Sequence, residues 1–165
     1  MLSRESRAGR KEADLSTETT NTTSDAVSIW REKTSDEITP VDLVAIGDLL
    51  RNTALIGEPK WKVARSGGAA EAIAIVVRNW PVTTITGRVD LMMTALVYAA
   101  MTGSAAAALV LSHSLRQTPC AGERHKRLSA SWLARNLRIA AERAAPRPAA
   151  FVRKRRSSRG TEIRT

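Results

Sequence analysis

The sequence predicts an all-α fold: a small irregular bundle of about five helices, with a central helical hairpin and disordered termini. Three observations predict it. Apolar residues make up 43% of the 165-residue chain and aromatics only 4%. A core must then be built from Ala, Leu, Val, Ile and Met, and of these Ala, Leu and Met lose little conformational freedom in a helix. Between residues 39 and 145 the apolar positions recur at helical spacing, and helix caps and breakers punctuate them.

Residues 1–38 are expected to be a disordered tail. The stretch from Ser16 to Ser24 has no apolar residue, so it cannot offset a chain entropy of ~1–2 kcal/mol per residue. Val27, Ile29 and Trp30 form an apolar island within this tail, read as solvated instead of docked.

Order is expected to begin at Thr39-Pro40-Val41-Asp42. Thr39 suits an N-cap, Pro40 the first helical position, and Asp42 the positive end of a helix. Leu43, Ile46, Leu49, Leu50 and Thr53 then share a face, and Gly57 and Pro59 stop the helix. A second helix opens after Ser66-Gly67-Gly68, with Ala69, Ile73, Val76, Val77 and Trp80 on one side, and ends at Pro81. The β-branched run Val82 to Thr86 reads as a connector, because a lone strand cannot form a sheet.

From Leu91 to Leu115 the chain carries 25 residues without Lys, Arg, Asp or Glu. One unbroken helix of that length would be ~37 Å long, enough to cross a bilayer core of ~30 Å. Thr102-Gly103-Ser104 divides the run with a C-cap Gly beside an N-cap Ser. The preferred reading is therefore a buried hairpin over 88–116, apolar on all sides because it lies mid-bundle. A last helix runs from about Glu123 to Ala145. Leu128, Trp132, Leu133, Leu137, Ile139 and Ala140 are expected to face the core, and Asn136, inside this arc, needs a hydrogen-bond partner. Pro146 and Pro148 end it, leaving 146–165 as a disordered basic tail after the helical domain of 39–145.

The net charge of +10 is uneven. Residues 1–38 carry six basic and eight acidic side chains, whereas residues 146–165 carry seven and one. Arg124, Arg127, Arg135 and Arg138 on the last helix, with Arg153, Lys154, Arg155 and Arg156 beyond it, are the candidate polyanion-binding residues. A strip of this kind binds phosphates through charge and counterion release, with little sequence specificity. Nucleic acid is the expected polyanion, and a protein partner or a second copy the expected occupant of the bundle.

Catalytic signatures are weak. His113, Cys120 and His125 match no standard zinc spacing and lack a fourth ligand. Cys120 lies in a Thr-Pro-Cys-Ala-Gly stretch that reads as an ordinary loop. Ser66-Gly67-Gly68 lacks the spaced Gly-Lys-Ser/Thr of a phosphate loop. No catalytic, cofactor or metal residue is assigned. One cysteine excludes an internal disulfide, and the N-terminus has no apolar signal core, so a cytoplasmic location is expected. The leading expectation is a non-enzymatic helical interaction module. Two alternatives stay open: a single-span membrane protein with its helix near 91–110, and an enzyme with dispersed catalytic residues.

Overall fold

Helix α1 (Pro40–Asn52) starts where the local chemistry requires. The Thr39 hydroxyl accepts from the Asp42 amide at 3.2 Å, and the Asp42 carboxylate accepts from the Thr39 amide at 2.8 Å. Two of the unpaired amides of the first turn are satisfied reciprocally. The helix stops at Asn52, earlier than Gly57 and Pro59 suggested. Thr53 is extended, and its carbonyl accepts from the Trp61 indole at 2.8 Å. The burial of Trp61 and Leu55 turns the chain before the glycine does.

The computed structural model describes residues 26–118 and 122–145. After α1 come a short α2 (Trp61–Ala64), α3 (Ala69–Arg78), α4 (Gly87–Met101), α5 (Ala105–Gln117) and α6 (Glu123–Ala144). A 3-10 turn, Ile29–Arg31, precedes them, and there is no strand among the described residues. The chain is an all-α bundle. The expected disorder of residues 1–25 and 146–165 lies outside the described residues.

Between α4 and α5 the chain turns back at the expected place. Gly103 has φ +105°, a conformation glycine adopts without the steric cost of a Cβ. Its amide donates to Ala100 O at 3.2 Å, and the Ser104 amide donates to Ala99 O at 3.0 Å. These two bonds close α4 in a Schellman motif. The Ser104 hydroxyl then caps α5 by accepting from the Ala107 amide at 3.2 Å. A single span near 91–110 is thereby corrected: no helix among the described residues is long and apolar enough to cross a membrane.

Helix α4 is the centre of the bundle. It touches the 3-10 turn, α1, α2, α3 and α5, and is buried along nearly all of its sides. Helix α5 is different. Its inner side packs on α4 and α6, but Leu109 is 48% exposed and Ala106 is also exposed. The expectation that both halves of the hairpin are covered all round holds for α4 alone.

Order begins earlier than residue 39, which corrects the boundary placed at 38. Ile29, Trp30 and Ile38 belong to the core, and Trp30 is fully buried. Its indole nitrogen donates to the Asp90 carboxylate at 2.9 Å, and Arg31 reaches the other oxygen of that carboxylate at 3.4 Å. The Thr94 hydroxyl donates to Val27 O at 3.0 Å. An apolar island that seemed too small to dock is held because the Trp30 indole, one Arg31 nitrogen and the Val27 carbonyl each meet a partner on α4.

Two faces also turn differently. In α3 the buried residues are Ala72, Ile75 and Val76, while Val77 is exposed. Glu71 is the one charged residue in the first nine of this helix, so periodicity leaves its rotation to its neighbours. In α6 the buried residues are Leu128, Ser129, Trp132 and Ile139, and Leu137 is 61% exposed.

Replacing Trp30 tests the docking of this first segment. Trp30→Ala is expected to lower stability in urea unfolding by about 3–5 kcal/mol, the usual cost of emptying a buried aromatic site. A change below about 1 kcal/mol would mean that residues 26–38 do not contribute to the core.

Candidate functional site

The candidate strip is built on α6, and α5 positions that helix. The Ser112 and Ser129 hydroxyls lie 3.0 Å apart, and each donates to the other's carbonyl, at 2.8 and 2.9 Å. Arg116 adds a bond to Ser129 Oγ at 2.8 Å. At the other end, Asn136 donates to Ala105 O at 2.8 Å. Asn136 therefore finds the partner that a buried amide needs, and together these bonds hold α5 and α6 in one antiparallel register.

The arginines of α6 do not form one uniform row. Arg135 turns inward and donates to Ala100 O at 3.3 Å and Met101 O at 3.0 Å. Arg143 donates to Gly103 O at 2.6 Å. These two cations occupy the carbonyl end of α4, where a positive charge complements the helix dipole. Burial lowers the Arg135 pKa, and the neighbouring Arg138 lowers it further. It remains a cation at any ordinary pH. Arg135 thus serves the fold and is not part of a solvated strip.

Arg124, Arg127 and Arg138 are exposed on α6. A segment that the sequence reading set aside as tail lies against them. Ser35 is buried on Ser131: its amide donates to Ser131 Oγ at 2.7 Å, and the two hydroxyls are also 2.7 Å apart. This clamp places Asp36 at 3.5 Å from Arg138, and Arg124 donates to Glu32 O at 3.1 Å. The pKa of Glu37 lies below its ordinary value, first because the Thr34 amide donates to it at 2.7 Å. Arg127 and Arg124 also favour its charged form. A groove of about 470 Å³ between this segment, a strap over residues 32–37, and the helix is lined by Glu32, Glu37, Glu123, Arg124 and Arg127, among others. The predicted cationic edge is therefore an edge of mixed charge. Arg153, Lys154, Arg155 and Arg156 lie outside the described residues.

Elsewhere, charge is spent on structure. The Glu58 side chain is 4% exposed and accepts from Arg88 at 2.7 Å, Arg78 at 3.1 Å and Asn79 at 3.3 Å. This hub ties the loop after α1 to α3 and α4. The Gly67 and Gly68 amides donate to Ala64 O and Val63 O, so they close α2 instead of facing an anion. A Cβ on Gly68 would lie 2.6 Å from a Val63 methyl carbon, which explains the glycine.

The histidines stand apart. His113 is exposed on α5 with its ring 6.1 Å from that of Trp80. His125 is half-buried on α6, and Cys120 lies outside the described residues. Among the described residues no three His, Cys, Asp or Glu side chains are grouped to hold a metal ion.

The fold and this edge define a small helical bundle with a carboxylate strap against its last helix. Comparisons with protein-family models, curated proteins and solved structures find no match.

The strap and the α1 cap share a dependence on pH. Burial raises the Asp42 pKa, but Lys33 at 2.8 Å and the Thr39 amide outweigh it, leaving the carboxyl below its ordinary 3.8. Glu37 likewise lies below its ordinary 4.5. For depressed carboxyls the stabilisation is complete above the ordinary value and is lost as pH falls through the depressed one. Unfolding by urea is expected to show stability falling below about pH 4, with a shallower acid slope in Glu37→Gln/Asp42→Asn. An unchanged slope in that double variant would contradict both placements.

Proposed function

We propose that this protein is a non-enzymatic helical interaction module whose basic C-terminal segment holds a polyanion such as nucleic acid. One observation carries the reading. Helix α6 presents Arg124, Arg127 and Arg138 on its exposed edge, and the chain then enters residues 146–165, with seven basic side chains and one acidic. Helix edge and tail together supply an electrostatic footprint, and such a footprint recognises phosphate backbones by charge. The absence of an internal disulfide accords with a cytoplasmic location for this role.

The strap bears on how the two halves divide the work. Asp36 and Glu37 already oppose the helix arginines, so the tail residues Arg153, Lys154, Arg155 and Arg156 are assigned most of the affinity. Arg124, Arg127 and Arg138 add what the strap leaves free. Arg135 is excluded from the contact because its guanidinium is committed to the end of α4.

Binding to generic duplex DNA across a salt series tests the reading. The full chain is expected to show a steep salt dependence, each phosphate contact contributing about −0.9 to the slope of log K against log salt. Removal of residues 146–165 should flatten it by several such contacts. Asp36→Asn in the full chain should strengthen binding by roughly 2- to 5-fold at low salt, the scale of one exposed ion pair. Arg135→Met should leave the slope unchanged. Equal slopes for the full and shortened chains would remove the tail from the proposal.

A further inference from the structure

Gly47 is buried in the middle of α1. Glycine weakens a helix interior more than any residue except proline, because it gives up the most backbone freedom. Close packing is the usual reason for a glycine there, and it does not apply. A Cβ built on Gly47 would have its nearest neighbours at 3.6 to 3.8 Å, ordinary van der Waals distances. They are Cε2 and Oη of Tyr98 and Nη1 of Arg51. Gly68 is the contrast, since its own Cβ would collide with Val63. Gly47 thus breaks a local rule without a packing gain, and functional sites are where such breaks are expected.

The missing side chain leaves a groove of about 240 Å³ between α1 and α4. Leu43, Val44, Gly47, Arg51, Tyr98 and Thr102 line it. The half-buried ring of Tyr98 is flanked by two glycines, for a Cβ on Gly67 would lie 3.5 Å from its Cε1.

The carbonyls at the two nearby helix ends are already taken. Tyr98 O and Ala99 O accept from Thr102 and Ser104, and Ala100 O and Met101 O accept from Arg135. On α1, Leu50 O accepts from the Thr53 amide and Arg51 O from Arg65. Two groups that can donate are left to the groove. Tyr98 Oη makes no hydrogen bond among the described residues. Arg51 binds Asp48 through Nη2, and its Nη1 lies toward Gly47. One ligand atom at the place of the absent Cβ would touch both donors.

We infer that this groove binds a small apolar carboxylic acid, its hydrocarbon part on Leu43, Val44 and the Tyr98 ring and its carboxylate on Tyr98 Oη and Arg51 Nη1. Size selects a small ligand, since the groove falls below the ~300–1,000 Å³ of drug-sized pockets. The donors select a carboxylate, because a hydroxyl and an arginine nitrogen converge and one of them is cationic. Asp48 engages the other terminal nitrogen and so orients the guanidinium. The Asp48 and Arg51 side chains are both more than half exposed, so water screens the Asp48 charge. Leucine, valine and the tyrosine ring select an apolar body, which a bare inorganic anion lacks. This site lies on α1 and α4, whereas the proposed polyanion contacts lie on α6 and residues 146–165. It goes beyond that reading and does not rest on it.

Titration of the full chain with sodium benzoate, followed by NMR of the backbone amides, tests the inference. Saturable shifts are expected in α1 and around Tyr98, with a dissociation constant on the order of 1 mM. Benzamide has the same shape without the charge and should bind about 10-fold more weakly. Tyr98→Phe removes only an oxygen that the fold does not use. It should weaken benzoate by about 10-fold and leave the urea midpoint unchanged. Gly47→Ala should raise the urea midpoint, as a helix gains from that exchange, and should weaken benzoate because a methyl enters the groove. The inference is overturned by an absence of saturable shifts in α1, or by full affinity for benzoate in Tyr98→Phe. Equal binding of benzamide, or a lowered midpoint in Gly47→Ala, would overturn it as well. Tyr98→Phe should keep the wild-type salt slope for DNA, so a failure of this site and a failure of the polyanion reading are seen separately.

Discussion

The burial of α4 on nearly every side is the constraint on which the rest of the structure depends. A helix without a solvated stripe must be enclosed by other elements. Here α1, α2, α3, α5 and the 3-10 turn enclose it. Enclosure also makes demands on its few polar groups. Asp90 is buried and would be costly unpaired, and the Trp30 indole and Arg31 satisfy it. The exposed carbonyl end of α4 is closed by Gly103 and covered by Arg135 and Arg143. The docking of Trp30, the turn at Gly103 and the inward reach of Arg135 and Arg143 all follow from satisfying one helix.

The outer layer follows a different rule. Helices α5 and α6 meet through serine and alanine, whose small side chains allow close approach, and their polar atoms pair across the contact. That packing uses one side of each helix. The strap takes the arginine edge of α6 through the Ser35–Ser131 clamp and leaves the alanine and leucine edge bare. The same helix therefore carries exposed arginines on one flank and exposed alanine and leucine on another.

Much of the fold was legible in the sequence. Thr39, Pro40 and Asp42 announced α1, and Thr102-Gly103-Ser104 announced the turn, because caps are local chemistry carried by a few adjacent residues. What escaped was long-range. Nothing near Trp30 shows that Asp90, sixty residues away, will pair with its indole. Ser35 and Ser131 are unremarkable serines until the fold sets them 2.7 Å apart. Helical periodicity also misled where apolar residues were too many. In α3 and α6 several faces read as core, and the neighbours chose among them. The candidate site suffered most, since Arg135 and Arg138 look alike on a helical wheel yet serve different ends.

Hydrogen exchange read residue by residue tests the central claim most directly. If α4 is enclosed by the chain's own helices, its amides from Met92 to Ala100 should exchange only through global unfolding, the slowest class in the molecule. The exposed final turn of α6 should exchange far faster. Amides of α4 that open as readily as that final turn would show that the helix is not enclosed, and the account built upon it would fail.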